Sequence, residues 1–182
     1  MISITLKDIE YSIPASWNEV SVARFEALLV VIGNEKLYDT VIEYSLGIIS
    51  SLTEIPLVIL KSINNEEFEM LGELFTWSNK DVVSSDRKEF IINGVTYVPV
   101  SNYNGLTMGE AIDSELIIKD STSVNLLSNL LPLLVRRAES VGKGRKTKLV
   151  PAPFDATQYA ELKEELKNAL MITDVIQLKG FF

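Results

Sequence analysis

Apolar residues recur at every second position where the chain opens: Ile2, Ile4 and Leu6, then Ile9, Tyr11 and Ile13, with polar Lys7-Asp8 between the runs. Period two with a polar break predicts a β-hairpin. Pro14 ends it, and Ser16-Trp17-Asn18-Glu19 has the spacing of a capping box, so a helix start is expected there. From Ser21 the period becomes helical, with Val22, Phe25, Leu28, Leu29 and Ile32 on one stripe and Gly33-Asn34 as its stop. A further helix is expected over 36–49, with Leu37, Val41, Tyr44 and Ile48 on its buried face, and Thr53 before Glu54-Ile55-Pro56 predicts a short helix after it. Asn64 with Glu67 caps the next, which brings Phe68, Leu71 and Phe75 together.

Residues 78–88 are polar and read as a loop. In EFIINGVTYVPV, Asn93-Gly94 separates two alternating runs, and a two-residue Asn-Gly turn suits the positive φ angles of a type I′ hairpin. Thr107 and Glu110 have capping-box spacing, so a helix begins at Met108 and is expected to turn Met108, Ile112 and Leu116 inward. The apolar run VNLLSNLLPLLV places Leu127, Leu130, Leu131, Leu134 and Ala138 at helical spacing. Pro132 removes the bond to the Ser128 carbonyl, which predicts a kink. Asp155 and Gln158 cap a final helix edged by Tyr159, Leu162, Leu166 and Leu170, and an apolar tail from Ile172 to Phe182 follows. The class is α+β and mostly α-helical: one domain over 1–182 with two small antiparallel β-hairpins. Within it, the reading gives a helical half over 15–77, a hairpin over 89–100 and C-terminal helices over 107–182 carrying a basic loop at 142–149.

Composition adds the question of partners. Hydrophobic residues make up 47% of the 182 positions, yet no apolar run approaches the ~18 residues a membrane span needs. The surplus points to an interface buried against other chains, with no membrane partner. The opening residues lack a basic stretch followed by an apolar one, so no secretion signal is expected and the chain should stay where it is made. Cysteine and histidine are both absent, which removes thiol chemistry, the usual neutral-pH base and the usual zinc ligands. Glu110, Asp113, Glu115 and Asp120 could offer oxygens to a hard cation, but a helix cap and a solvated face explain the set well without one. No enzyme activity, cofactor or metal is expected, and Trp17 and Trp77 read as core.

Net charge is −8, but the stretch from Arg136 to Lys148 carries +5 against −13 for the rest. Arg136, Arg137, Lys143, Arg145, Lys146 and Lys148 could neutralise phosphates, dock on an acidic protein surface such as another copy of this chain, or simply be solvated. Gly142-Lys143-Gly144 is no phosphate loop, since it lacks the GxxxxGK[ST] pattern after a strand. The candidate contact residues are those six bases together with Ile176, Leu178, Phe181 and Phe182 of the tail.

The segments IPASWNEVSVARFEALL, LTMGEAIDSE, LLSNLLPLLVRRA and ITDVIQLKGFF together resemble small proteins encoded among the structural genes of tailed bacteriophages. The resemblance implies a tail, baseplate or connector component, or a tail assembly chaperone, that acts by binding other phage structural proteins or copies of itself. It implies a place in the virion or the host cytoplasm. It carries no catalytic or binding residue across. The alternative is a nucleic-acid-binding accessory factor using the basic residues over 136–148.

Overall fold

A computed structural model describes residues 1–100, 105–122, 124–142, 148–176 and 178. Strands β1 (Ile2–Leu6) and β2 (Ile9–Ile13) pair antiparallel with Ile4 opposite Tyr11. The turn closes because Lys7 and Asp8 take φ of 50° and 65°, the left-handed pair a two-residue hairpin needs. The hairpin remains a two-stranded sheet apart from the other strands and is supported by helices beneath its apolar face.

Helix α1 (Val22–Gly33) starts at Ser21, whose Oγ accepts the Arg24 N–H at 3.3 Å. The expected capping box at Ser16 does not form. Residues Trp17–Glu19 make a single 3-10 turn without a Ser16 side-chain bond, and Glu19 Oε2 accepts the Ala15 N–H at 2.7 Å instead. The chain cannot run on into a helix there because Val20 and Val22 are tied to the C-terminal segment. Ile172 N–H donates to the Val20 carbonyl at 2.8 Å, and Val22 N–H to the Leu170 carbonyl at 3.0 Å.

Helix α2 (Val41–Leu52) begins later than its periodicity suggests, because Thr40 Oγ1 accepts the Glu43 N–H at 3.1 Å and caps it there. Leu37 and Val41, expected inside, are 79% and 81% exposed, and the buried edge is Leu46, Gly47, Ile49 and Leu52. A Cβ at Gly47 would lie 2.9 Å from the Tyr38 hydroxyl, so a larger residue there would have to displace the end of that side chain. Thr53 closes α2 rather than opening the next helix; its hydroxyl donates to the Ile49 carbonyl, and α3 (Leu57–Leu60) starts from Pro56. Helix α4 (Asn65–Leu74) has both halves of its capping box, with Asn64 and Glu67 bonded reciprocally at 2.9 Å.

Strands β3 (Phe90–Ile92) and β4 (Val95–Pro99) meet at Asn93 and Gly94, φ 49° and 77°. After α5 (Met108–Asp120) comes α6 (Leu126–Leu134), then β5 (Val135–Val141) and β6 (Lys148–Pro151), which complete a four-stranded antiparallel sheet in the order β3-β4-β5-β6. A long kinked helix reaching Ala138 is therefore corrected; of the basic loop expected at 142–149, Lys148 and Leu149 stand in β6 and residues 143–147 lie outside the described residues. Pro132 has no N–H to continue the ladder, the helix stops at Leu134, and β4 takes up the backbone of Val135–Arg137 as a strand. Helices α7 (Tyr159–Ala169) and α8 (Ile172–Ile176) end the described chain but for Leu178.

The fold is α+β. One apolar cluster joins Leu6, Ile13, Leu52, Leu60, Leu71 and Ile172 beneath the first hairpin, and another joins Phe90, Tyr97, Leu131, Val135, Leu166 and Leu178 beneath the larger sheet. Leu127 packs against both. No helix among the described residues is long and apolar enough to cross a membrane.

Candidate partner-binding surface

Helix α5 lies on the body with its polarity reversed. Thr107 and Glu110 form the predicted capping box: the Thr107 N–H donates to Glu110 Oε2 at 2.6 Å, and Thr107 Oγ1 accepts the Glu110 N–H at 3.3 Å. At about 100° per residue, Glu110, Ser114 and Ile117 then share one side, while Met108, Ile112 and Leu116 share the opposite one. The first side faces the body: Glu110, Ala111 and Ser114 are buried and Ile117 is half-buried. The second faces outward, with Met108, Ile112 and Leu116 at 78%, 52% and 51% exposure, against the expectation that they form its core edge.

Arg136 explains the orientation. Its side chain is 6% exposed, its Nε donates to the Leu133 carbonyl at 2.9 Å, and its Nη1 lies 2.9 Å from Glu110 Oε1. The guanidinium carbon stands 5.8 Å from the Phe154 ring centroid, a cation-π distance. Nη2 is buried and meets no acceptor among the described residues. Glu110 thus serves two partners, the start of α5 and a buried cation in β5, and both fix which side of the helix turns inward. Small Ala111 and Ser114 let α5 approach α6 closely.

Burial pushes the Glu110 carboxyl up, but bonds from Thr107 and the Arg136 guanidinium outweigh it and leave the group below its ordinary value of 4.5. The folded state therefore holds this carboxylate more readily than the unfolded chain does. Its contribution is complete above the unfolded value and disappears as pH falls through the lower, folded one. Thermal unfolding followed from pH 7 downwards should show Tm steady until about pH 5 and falling below it. Glu110→Gln should reduce the slope of that fall. An unchanged slope would mean that the pair does not titrate with folding.

The basic residues do not form one loop. Arg136 is buried and ion-paired, so it is removed from any contact surface. Arg137 is exposed on β5, where the Tyr97 hydroxyl and the carboxylates of Glu165 and Glu161 push its guanidinium pKa up. Tyr97 donates to Glu165 Oε2 at 2.7 Å, and Asn93 Nδ2 to Glu165 Oε1 at 3.1 Å, a polar seam between sheet and α7. Lys148 is exposed on β6. Lys143, Arg145 and Lys146 lie outside the described residues.

The tail is likewise divided. Leu178 is 4% exposed within the second cluster and is core rather than contact surface, while Ile176 is half-buried against the first. Phe181 and Phe182 lie outside the described residues. Part of the expected apolar surface is instead the tip between α1 and α2, where Leu37, Val41 and Ile42 are exposed. Glu110, Ala111, Ser114 and Ile117 recur at helical spacing as well as the apolar set does, so the spacing alone does not orient α5.

Among the described residues no group of three or more carboxylates converges where a metal could sit, and Glu110 is already engaged. A cleft of about 360 Å³ is lined by Ser85, Arg87, Thr173 and Asp174. Asp174 is 2% exposed, and it accepts from Ser85 Oγ at 2.7 Å and from Arg87 Nη1 at 3.3 Å, an arrangement that clamps residues 85–87 to α8. No protein-family model, curated protein or solved structure matches this chain.

Proposed function

We propose that this chain is a virion assembly or structural protein of a tailed bacteriophage, in the tail, baseplate or connector, and that it works by protein-protein binding without a catalytic step. The observation that carries the binding role is the outward apolar stripe of α5. Three large apolar side chains face solvent on a helix that is held rigidly from behind by a buried ion pair. Fully burying an exposed side chain of this kind is worth about 1.5–3 kcal/mol, and Ile112 and Leu116, at 52% and 51% exposure, would each gain roughly half of that on a helix already positioned to bind. The phage assignment rests on the sequence resemblance, and the site of action would be the virion or the host cytoplasm. The nucleic-acid alternative is weakened by the loss of Arg136 to a buried pair and by the carboxylates around Arg137.

Ile112→Asp tests the reading. Co-expressed with the products of its neighbouring genes and purified by affinity, the wild-type chain should retain a partner. The variant should bind that partner at least tenfold more weakly, with an unchanged circular dichroism spectrum and melting temperature. Equal retention by both would overturn the role of α5.

A further inference from the structure

We propose that Asn93 is a deamidation site, that Glu165 holds its reaction back, and that the product forces the turn between β3 and β4 away from α7. The sequence contains two Asn-Gly pairs, Asn93-Gly94 and Asn104-Gly105. In such a pair no side chain shields the glycine nitrogen, which eases its attack on the asparagine amide. Asn104 lies outside the described residues, whereas Asn93 and Gly94 are exposed at the tip of their hairpin. The ladder ends at the pair Ile92 and Val95, so it requires no bond from the Gly94 N–H, and a Cβ at Gly94 would meet nothing within 4 Å. Water is the one co-reactant. The Gly94 nitrogen bonds to Asn93 Cγ, the Cγ–Nδ2 bond breaks, and the amide nitrogen leaves as ammonia with the proton that Gly94 gives up. Water then opens the succinimide at either carbonyl, leaving an aspartate or an isoaspartate at position 93.

The carboxylate set against it distinguishes Asn93 from an asparagine on a free loop. Asn93 Nδ2 donates to Glu165 Oε1 at 3.1 Å, while Glu165 Oε2 accepts from the hydroxyl of fully buried Tyr97 at 2.7 Å. Before reaction, this carboxylate is a restraint: bound to Nδ2, it makes the amide carbon less electrophilic and restricts rotation of the side chain. After reaction it is an opponent. The donor is gone, a second negative charge stands in its place, and two like charges so close repel. Arg137 already faces Glu165 and Glu161, so a further carboxylate is in excess of the positive charge beside it. The isoaspartate product also lengthens the main chain by one carbon, in a turn whose two residues set the register of β3 against β4.

Peptide mass spectrometry of the purified chain, incubated in mildly alkaline buffer with and without urea, follows position 93 over time. Asn93 should convert in the folded chain, but more slowly than in urea. Glu165→Ala should raise the folded-state rate by about threefold to tenfold, the equivalent of one net hydrogen bond. Tyr97→Phe removes the other bond to Glu165 and leaves Asn93 bound, so it should not raise the rate. A rise of the same size in both variants would mean general loosening and overturn the restraint by Glu165, as would equal rates in the folded and unfolded wild type. No conversion of Asn93 in either the folded wild type or folded Glu165→Ala would overturn the site itself. For the product, Asn93→Asp should lower the melting temperature, and adding Glu165→Gln should restore part of the loss, because an amide then faces the new carboxylate. Asn93→Asp as stable as the wild type would overturn the opening of the seam.

Discussion

Arg136→Met should lower the unfolding free energy by about 3–5 kcal/mol, the cost of removing one member of a buried ion pair. The loss would come less from the missing attraction than from what stays behind. Glu110 is 8% exposed, and without the guanidinium its carboxylate must be protonated, hydrated by local opening, or left uncompensated. Arg136 also holds the Leu133 carbonyl at the point where α6 becomes β5, a bond that methionine cannot replace. Arg136→Lys would keep the charge but lose the planar fork that reaches Leu133 and Glu110 at once, so a substantial part of the loss should remain. Glu110→Gln combined with Arg136→Met should recover a large share of the stability, because no charge is then left buried alone. Urea unfolding followed by tryptophan fluorescence reads all three variants. If the double variant were no more stable than Arg136→Met, the buried-charge account would be wrong.

Trp77→Ala should cost about 3–5 kcal/mol, as expected for deleting a large core aromatic. Trp77 is 8% exposed and packs edge-on against Trp17 with ring centroids 5.1 Å apart, and its ring also lies 5.8 Å from that of Phe75. Trp77→Phe should cost far less, about 1 kcal/mol. The indole N–H of Trp77 is buried without an acceptor among the described residues, so phenylalanine removes an unsatisfied donor along with the lost volume. Trp17 differs, since its Nε1 donates to the Lys80 carbonyl at 2.8 Å. Trp17→Phe should therefore lose a hydrogen bond as well as packing, and cost more than Trp77→Phe. The opposite order in urea denaturation would show that the Trp77 N–H is satisfied.

Local features of the fold were legible wherever a short segment decides its own geometry. The Lys7-Asp8 and Asn93-Gly94 turns and the Asn64/Glu67 and Thr107/Glu110 boxes depend on a few neighbouring residues, and all of them stand where the sequence places them. Features set by distant partners were not legible. Val135–Val141 follows a leucine-rich helix and keeps some helical spacing, so only pairing with β4 and β6 decides that it is a strand. Periodicity in α5 gives two faces but not which one turns inward. That choice is made by Arg136, which sequence alone placed in a basic stretch open to phosphate, to a protein partner or to solvent. The same limit applies to Leu178, which is buried in a cluster assembled from residues as distant as Val22, Phe90 and Leu130.

The backbone bonds joining Val20 and Val22 to Leu170 and Ile172 bear on how the protein is made. Ile172 is fully buried in the cluster beneath the first hairpin, so that cluster is incomplete until a residue translated near the end of this sequence arrives. Long-range contacts of this kind close late and slow the search for the native state. During translation, the first hairpin and α1 to α4 would leave the ribosome with a gap where Ile172 belongs, and they would hold a native-like arrangement only loosely until it is filled. A nascent chain stalled before Ile172 should consequently be easier to proteolyse across residues 2–77 than the released chain.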